Sequence, residues 1–283
     1  TEADYYLART DQGDREYRGE EDYWVAALEW MYDKGVRLVN SSVGYSNGYD
    51  DPSEDYERAQ VDGESSAITK VAAIAAKEKG MILVIAAGND GNKDFEIISV
   101  PADAEGVISV GASGFRQWNK AGYSAIGAEH MDDIKPEVAC YSFSGTSFSA
   151  PVITGLVACI WQAYPDLTNK EVIDYIKESS HLYNAPNNYL GYGVPNAKRI
   201  LKLIKDQKTK AKFDQLITLE ETVSIEFLGE TNIIAFHKKD DRIVIKQQSI
   251  DSKRGVAVIK KFEGAKRTTV ATPDRVVEIY WKD

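Results

Sequence analysis

Met81 to Ala87, MILVIAA, constrains this chain more than any other segment. Seven apolar residues run without a polar break, which does not suit a strand with one wet face. The segment reads as a strand buried on both faces, as in a parallel sheet. Its neighbours fit. Glu20 to Lys34 spaces Trp24, Ala27, Leu28 and Met31 along one helical face, and Gly35 ends it. Val36 to Asn40 reads as a strand, Ser65 to Lys79 as an Ala-rich helix closed by Gly80, and Val107 to Val110 as a further strand. This alternation predicts an α/β fold, a parallel sheet with helices on both faces. Tyr5 to Arg9 reads as one more short strand.

The buried strand runs directly into Gly88-Asn89-Asp90-Gly91. Ligands of open α/β sheets sit at the carboxyl ends of strands, where the Asn89 amide would meet a reacting oxygen. Asn-Asp-Gly is also ordinary turn chemistry. A second segment, Gly145-Thr146-Ser147-Phe148-Ser149-Ala150-Pro151, opens an apolar helical run from Val152 to Trp161. A serine at a helix start lies at the positive end of the dipole, beside N–H groups with no intrahelical acceptor. Such a place suits a nucleophile and the oxyanion it creates; a plain Ser/Thr cap is the alternative. Pro151 is expected near the first turn, where a missing N–H costs little.

Together these segments resemble the subtilisin-like serine proteases, the subtilases. Gly145 to Pro151 is similar to the family's nucleophile motif, and Ala86 to Gly91 to its oxyanion-asparagine motif. Asn40-Ser41-Ser42-Val43-Gly44 resembles the segment that pairs with the substrate backbone. Ile134 to Val138 resembles the family's Lys-Pro-Asp-Val, and Tyr192 to Ala197 the end of its catalytic domain. The matches fall in family order within residues 1–205. The acidic stretch 50–64 and Tyr6-Leu7-Ala8-Arg9-Thr10 most resemble secreted subtilases of Bacteroidetes type.

The resemblance implies a serine endopeptidase. Ser147 would form the acyl-enzyme, and Asn89 with the Ser147 N–H would hold the oxyanion. Ser42, Val43, Gly44, Ala86, Ala87 and Gly88 would bind the substrate, with room for a large apolar side chain. The implied partner is a protein or peptide, and the implied location is secreted or in the cell envelope. No cofactor is implied for the chemistry and no metal ligand is assigned, although subtilases often bind structural Ca²⁺. Asp50, Asp51, Asp55 and Asp62 match no calcium spacing and read as a solvated loop.

Two departures stand out. The family order is Asp, His, Asn, Ser, yet the only histidines here, His130, His181 and His237, all follow Asn89. The Asp and His are therefore expected upstream of Thr1, and this chain is expected to be an inactive fragment without them. The three histidines read as solvated side chains. A catalytically inactive, peptide-binding subtilase relative is the alternative; a hydrolase of another α/β type would call for Gly-x-Ser-x-Gly at Ser147. The second departure is a shortening between Val138 and Gly145, expected to remove sheet material beside the nucleophile.

Charge argues against nucleic acid as a partner, since the net value is −10. It is uneven: residues 1–199 carry 17 basic against 31 acidic side chains, a net −14, and residues 200–283 carry 17 against 13, a net +4. That step supports a boundary near 205, with residues 206–212 as a linker. No apolar run approaches ~18 residues, so no membrane-spanning helix is expected. If a helix starts near Ser147, Cys159 lies about 18 Å along it at ~1.5 Å per residue, so a disulfide to Cys140 would need the chain before Ser147 to double back beside the helix; the alternative is two free core thiols. Thr168 with Glu171 forms an expected capping box for a helix to Ser179, and Val194 to Lys205 reads as the last helix. From 213 to 283 the pattern changes to short alternating segments: Val223–Phe227, Asn232–Phe236, Arg242–Lys246, Gly255–Lys260, Thr268–Ala271 and Arg275–Tyr280. They predict a small antiparallel β-sandwich or barrel.

Overall fold

The computed structural model describes residues 3–116, 118–207, 212–227 and 232–282. Helix α1 (Glu20–Asp33) leads into β1 (Leu38–Ser41), α2 (Ala67–Lys77), β2 (Ile82–Ala86), β3 (Ile108–Ser113) and β4 (Val138–Tyr141). Then come α3 (Thr146–Ala163), α4 (Asn169–Ser179) and α5 (Ala197–Ile204). The four strands form one parallel sheet in the order β1-β2-β3-β4.

The MILVIAA run explains the layering. Met81, Leu83, Ile85 and Ala87 point to a core shared with α1 and α2. Ile82, Val84 and Ala86 point to a second core with α3, α4 and α5. Burial of both faces removes the need for polar alternation. Local signals fix the helix ends. Ser66 accepts from the Thr69 N–H at 3.1 Å, and Thr168 and Glu171 cap α4 reciprocally.

Several expectations change. Tyr5–Arg9 is not a strand; Tyr5 and Leu7 are 71% and 86% exposed and no described strand pairs with them. The short segment after Val138 adds a strand the sequence did not announce: Val138–Tyr141 pairs in register with Val110–Ser113 as β4. Helix α3 is 18 residues long with a mean hydropathy of 1.2, long and apolar enough to cross a membrane by those measures. Here Ile153, Val157 and Ile160 anchor it against the sheet. Cys140 is buried beside the start of α3 and Cys159 is exposed along it, and both thiols are free. Burial pushes the Cys140 thiol up to about 11.

Residues 212–282 form two further sheets from β5 (Lys212–Thr218), β6 (Thr222–Glu226), β7 (Ile233–Lys238), β8 (Val244–Ile250), β9 (Ser252–Lys253), β10 (Val256–Lys260), β11 (Arg267–Ala271) and β12 (Arg275–Trp281). The sheets run β6-β10-β9 and β5-β12-β11-β7-β8. Pairing is antiparallel except for β5, which joins β12 in parallel. The segment expected as a linker gives Lys212 to β5, and residues 208–211 lie outside the described residues. The five-stranded sheet is covered on both sides. Ile233, Val270, Val277 and Ile279 face Ile225, Phe227, Ala257 and Ile259 of the smaller sheet. Ile234, Phe236, Val244, Ala271 and Val276 pack on Ala139, Leu182, Ala185 and Leu190. Polar contacts join the same faces: Lys120 N–H donates to Gln247 Oε1 at 2.7 Å, and Gln247 Nε2 donates back to Lys120 O at 3.1 Å.

Two histidines expected as solvated are buried. His181 Nδ1 accepts from the Val194 N–H at 2.9 Å, and its ring lies 4.5 Å from that of Trp118. His237 Nδ1 lies 2.9 Å from Thr268 Oγ1. Trp281 Nε1 donates to the same hydroxyl at 2.8 Å, and His237 Nε2 is buried with no hydrogen-bond partner among the described residues. Burial, aided by Arg199, lowers His181 to about 3; burial, aided by Lys246, lowers His237 to about 4. Unfolded histidine titrates near ~6.5. Their neutral burial therefore contributes stability that is complete above that value and is lost as pH falls through the folded values. Glu21 and Asp103, raised mainly by burial, act in the opposite sense. NMR titration should show both imidazoles neutral from about pH 8 down to about pH 5; a midpoint near 6.5 for either would contradict this packing.

Candidate active site

The carboxyl end of β2 and the amino end of α3 meet. Asn89 follows the strand, and its Oδ1 accepts from the Thr146 N–H at 2.8 Å and from the Thr146 hydroxyl at 3.1 Å. That hydroxyl in turn accepts from the Gly88 N–H at 3.1 Å. Both bonds fall on the amide oxygen, so the orientation of the amide is fixed and Nδ2 faces away as a free donor. Thr146 is fully buried. Ser147 is the second residue of α3 and its N–H has no intrahelical acceptor. One amide and one backbone N–H thus stand beside a hydroxyl at the positive end of an 18-residue helix.

Gly145, just before the helix, has φ 149° and ψ 151°, a region open essentially to glycine alone. A Cβ there would stand 3.5–3.6 Å from the Asn89 amide atoms, ordinary contact, so the requirement is one of backbone conformation. Ser142 Oγ donates to Gly145 O at 2.6 Å and braces the turn from β4. Pro151 is the sixth residue of α3, beyond the first turn where it was expected.

Ser42 lies at the end of β1, against Ser147. Ser147 Oγ donates to Ser42 O at 3.3 Å, and Ser42 Oγ donates to Ser147 O at 3.0 Å. Val43 is half-buried, Gly44 exposed, Ala86 and Ala87 buried, and Gly88 half-buried. The structure therefore brings Ser42, Val43, Gly44, Ala86, Ala87, Gly88, Asn89 and Ser147 to the same end of the sheet. Ser99, which the sequence did not single out, lies between the two glycine segments. Its N–H donates to Ala87 O at 3.0 Å. A Cβ on Gly44 would collide with Ser99 Oγ, and one on Gly88 would lie 3.2 Å from it. No local pattern marks Ser99, because its role comes from a fold-back that places Tyr45 against Val100.

The histidines are engaged elsewhere. His130 Nε2 lies 3.0 Å from Val61 O, and His181 and His237 are in the packed interiors described above. The acidic loop carboxylates cap their own backbone. Asp55 Oδ1 accepts from Gly48 and Tyr49 at 2.7 and 2.9 Å, and Asp62 Oδ1 accepts from Glu64 and Ser65 at 2.9 and 2.7 Å. Oxygens arranged around turn N–H groups do not form a calcium cage. Among the described residues no group of three or more His, Cys, Asp or Glu is placed to hold a metal ion.

Residues 2–193 match the peptidase S8, or subtilase, family. The chain belongs to the subtilase family. It is 30% identical to subtilisin DY of Bacillus licheniformis over 185 residues, covering 62% of this chain and 60% of that protein. It is 28% identical to subtilisin Savinase of Lederbergia lenta over 180 residues, covering 60% of this chain and 58% of that one. The chain thus spans less than two thirds of these curated subtilases. Among solved structures, the self-cleaved protease domain of PatA superposes with a TM-score of 0.51 at 18% identity, over 67% of this chain and 69% of that one. The patellamide maturation protease PatA gives 0.51 at 20% identity, over 66% and 70%. At such identities the likeness speaks for the subtilase fold alone.

Replacing the pivot glycine tests the local geometry of this subtilase site. Gly145→Ala should lower stability by about 1–3 kcal/mol, read from the urea midpoint. An unchanged midpoint would mean that the turn tolerates a side chain.

Proposed function

We propose that this chain carries the nucleophile and oxyanion half of a serine endopeptidase. The observation that supports this most is the Asn89–Thr146 bond pair, which leaves the Asn89 Nδ2 and the Ser147 N–H as free donors beside the Ser147 hydroxyl. In the proposed reaction Ser147 Oγ attacks the scissile carbonyl and passes its proton to a base. The two donors hold the tetrahedral oxyanion, collapse expels the amine, and water hydrolyses the acyl-enzyme. Ser42 to Gly44 would pair with an extended peptide as an added strand. Ser42-Val43-Gly44 and Ala86-Ala87-Gly88 would wall the main side-chain pocket, with Ser99 between them. No step assigned to these residues runs through a metal.

The base has to come from a further, Asp- and His-bearing segment. In this chain Ser147 Oγ rests on a carbonyl oxygen, which accepts a hydrogen bond but not the proton itself. Surfaces suited to such a segment exist. The outer edge of β1 pairs with no strand among the described residues, and Phe148 and Val152 on α3 are 53% and 57% exposed. We assign residues 1–205 to the catalytic part and residues from 212 onward to a β-module packed on it. A secreted or envelope location follows from the family resemblance.

A fluorophosphonate probe decides between this reading and an inactive peptide-binding relative, the reading favoured by the parked Ser147 hydroxyl. The full-length protein should be labelled, and Ser147→Ala should abolish labelling. Asn89→Ala should lower turnover by roughly a hundred- to a thousandfold, the loss known on removing such a donor in subtilisin itself. Folded full-length protein that takes no label would favour the inactive relative.

A further inference from the structure

A chain of polar side chains runs from Thr154, in the third turn of α3, to Ser147, and the chemistry proposed above uses only Ser42 and Ser147. Thr154 Oγ1 lies 2.9 Å from Asn40 Oδ1, Asn40 Nδ2 lies 3.2 Å from Ser42 Oγ, and Ser42 Oγ lies 3.0 Å from Ser147 O. Asn40 is on the face of β1 that turns toward α3, where its neighbour Leu38 is apolar and packed.

The Ser147 end of the chain fixes the bonds made by Ser42 and by the Asn40 amide. Ser147 O is a carbonyl and only accepts, so Ser42 must donate its single hydroxyl proton there. Ser42 Oγ then accepts from Asn40 Nδ2. The Asn40 amide is thereby oriented with Oδ1 toward Thr154, whose single hydroxyl proton is shared between Asn40 Oδ1 at 2.9 Å and Ala150 O, four residues back in the helix, at 3.0 Å. Pro151 explains why the end point is open. An ordinary residue at 151 would donate its N–H to Ser147 O, four residues back; proline has none. Ser42 takes the acceptor that the helix leaves free.

We propose that Asn40 is a positioning residue for Ser147, acting through Ser42 and held by Thr154, a reading that rests on the proposed function. In the resting arrangement Ser42 and Ser147 are joined by two reciprocal bonds. When a base draws the Ser147 proton, the Ser147 Oγ bond to Ser42 O is released. The Ser42 Oγ bond to Ser147 O then remains to tie the nucleophile turn to β1, at the stage where placement controls rate. Misplacement by about 1 Å is enough to cost on the order of a hundredfold.

The test combines kinetics on the full-length protein with a crystal structure of the present chain. Asn40→Asp keeps the shape but removes the N–H donor, and its carboxylate competes for the Ser42 proton. It should lower kcat by roughly 10- to 100-fold with KM within about twofold. Thr154→Val should move kcat in the same direction without adding charge, and Thr154→Ser should restore it. Unchanged kcat in folded Asn40→Asp or Thr154→Val would overturn the proposal. In crystals of Asn40→Asp, Ser42 Oγ should leave Ser147 O and turn to residue 40; an intact Ser42–Ser147 bond would overturn the proposal whether or not the protein is active. A parent protein that takes no fluorophosphonate would instead contradict the protease reading and leave the crystallographic result to decide the relay.

Discussion

One amide oxygen holds the site together. Asn89 Oδ1 takes two donors from Thr146, one from the main chain at the start of α3 and one from the side chain. The bonds join the end of the central strand to the start of the central helix. They also determine which end of the amide faces outward. A carbonyl oxygen directed at a developing oxyanion would oppose it, whereas the N–H donors favour it. The rest of the site relies on this junction: Gly145 supplies the backbone conformation that admits it, and buried Thr146 connects it to the Gly88 N–H.

The sheet provides the rigid support. β2 is buried along its whole length, and its alternate residues belong to two separate cores. Shifting Asn89 relative to Thr146 would mean shifting both. The IKPEV segment adds a fixed point. Lys135 Nζ, fully buried, bonds to Glu137 Oε1 and to Ala104 O, both at 2.6 Å, while Glu137 Oε2 accepts from the Ser109 N–H at 2.7 Å. A buried ion pair is stabilising only when its remaining hydrogen bonds are met, and here they tie the start of β4 to β3, on the strand that leads into the Gly145–Ser147 turn. The five-stranded sheet then covers Ala139 of β4 from outside, so it also supports the strand that leads into the Gly145–Ser147 turn.

How much of this was legible in the sequence depended on whether the cause was local. MILVIAA announced its strand because two-sided burial writes itself into seven consecutive residues. The Thr168–Glu171 capping box was equally legible, and so was the convergence of Asn89 with Ser147. Non-local causes were hidden. Tyr5–Arg9 has the composition of a strand, but no described strand pairs with it. β4 was unexpected because four residues carry little pattern until β3 lies beside them. Asn232–Phe236 read as an alternating strand, yet every residue of Ile233–Lys238 is buried, because both faces of its sheet are covered. His181 and His237 looked like loop histidines for the same reason: nothing near them in sequence shows Trp118 or Trp281 arriving from elsewhere in the chain. Asn40, Thr154 and Pro151 are separated by more than a hundred residues from end to end, so their shared connection to Ser147 exists only in three dimensions.

The most direct measurement is a crystal structure of the full-length protein with a peptidyl boronate or aldehyde bound. The account predicts a covalent bond to Ser147 Oγ, with the tetrahedral oxygen within about 2.7–3.1 Å of both the Asn89 Nδ2 and the Ser147 N–H. A tetrahedral oxygen directed away from Asn89, or an Asn89 amide flipped with its oxygen released from Thr146, would contradict it.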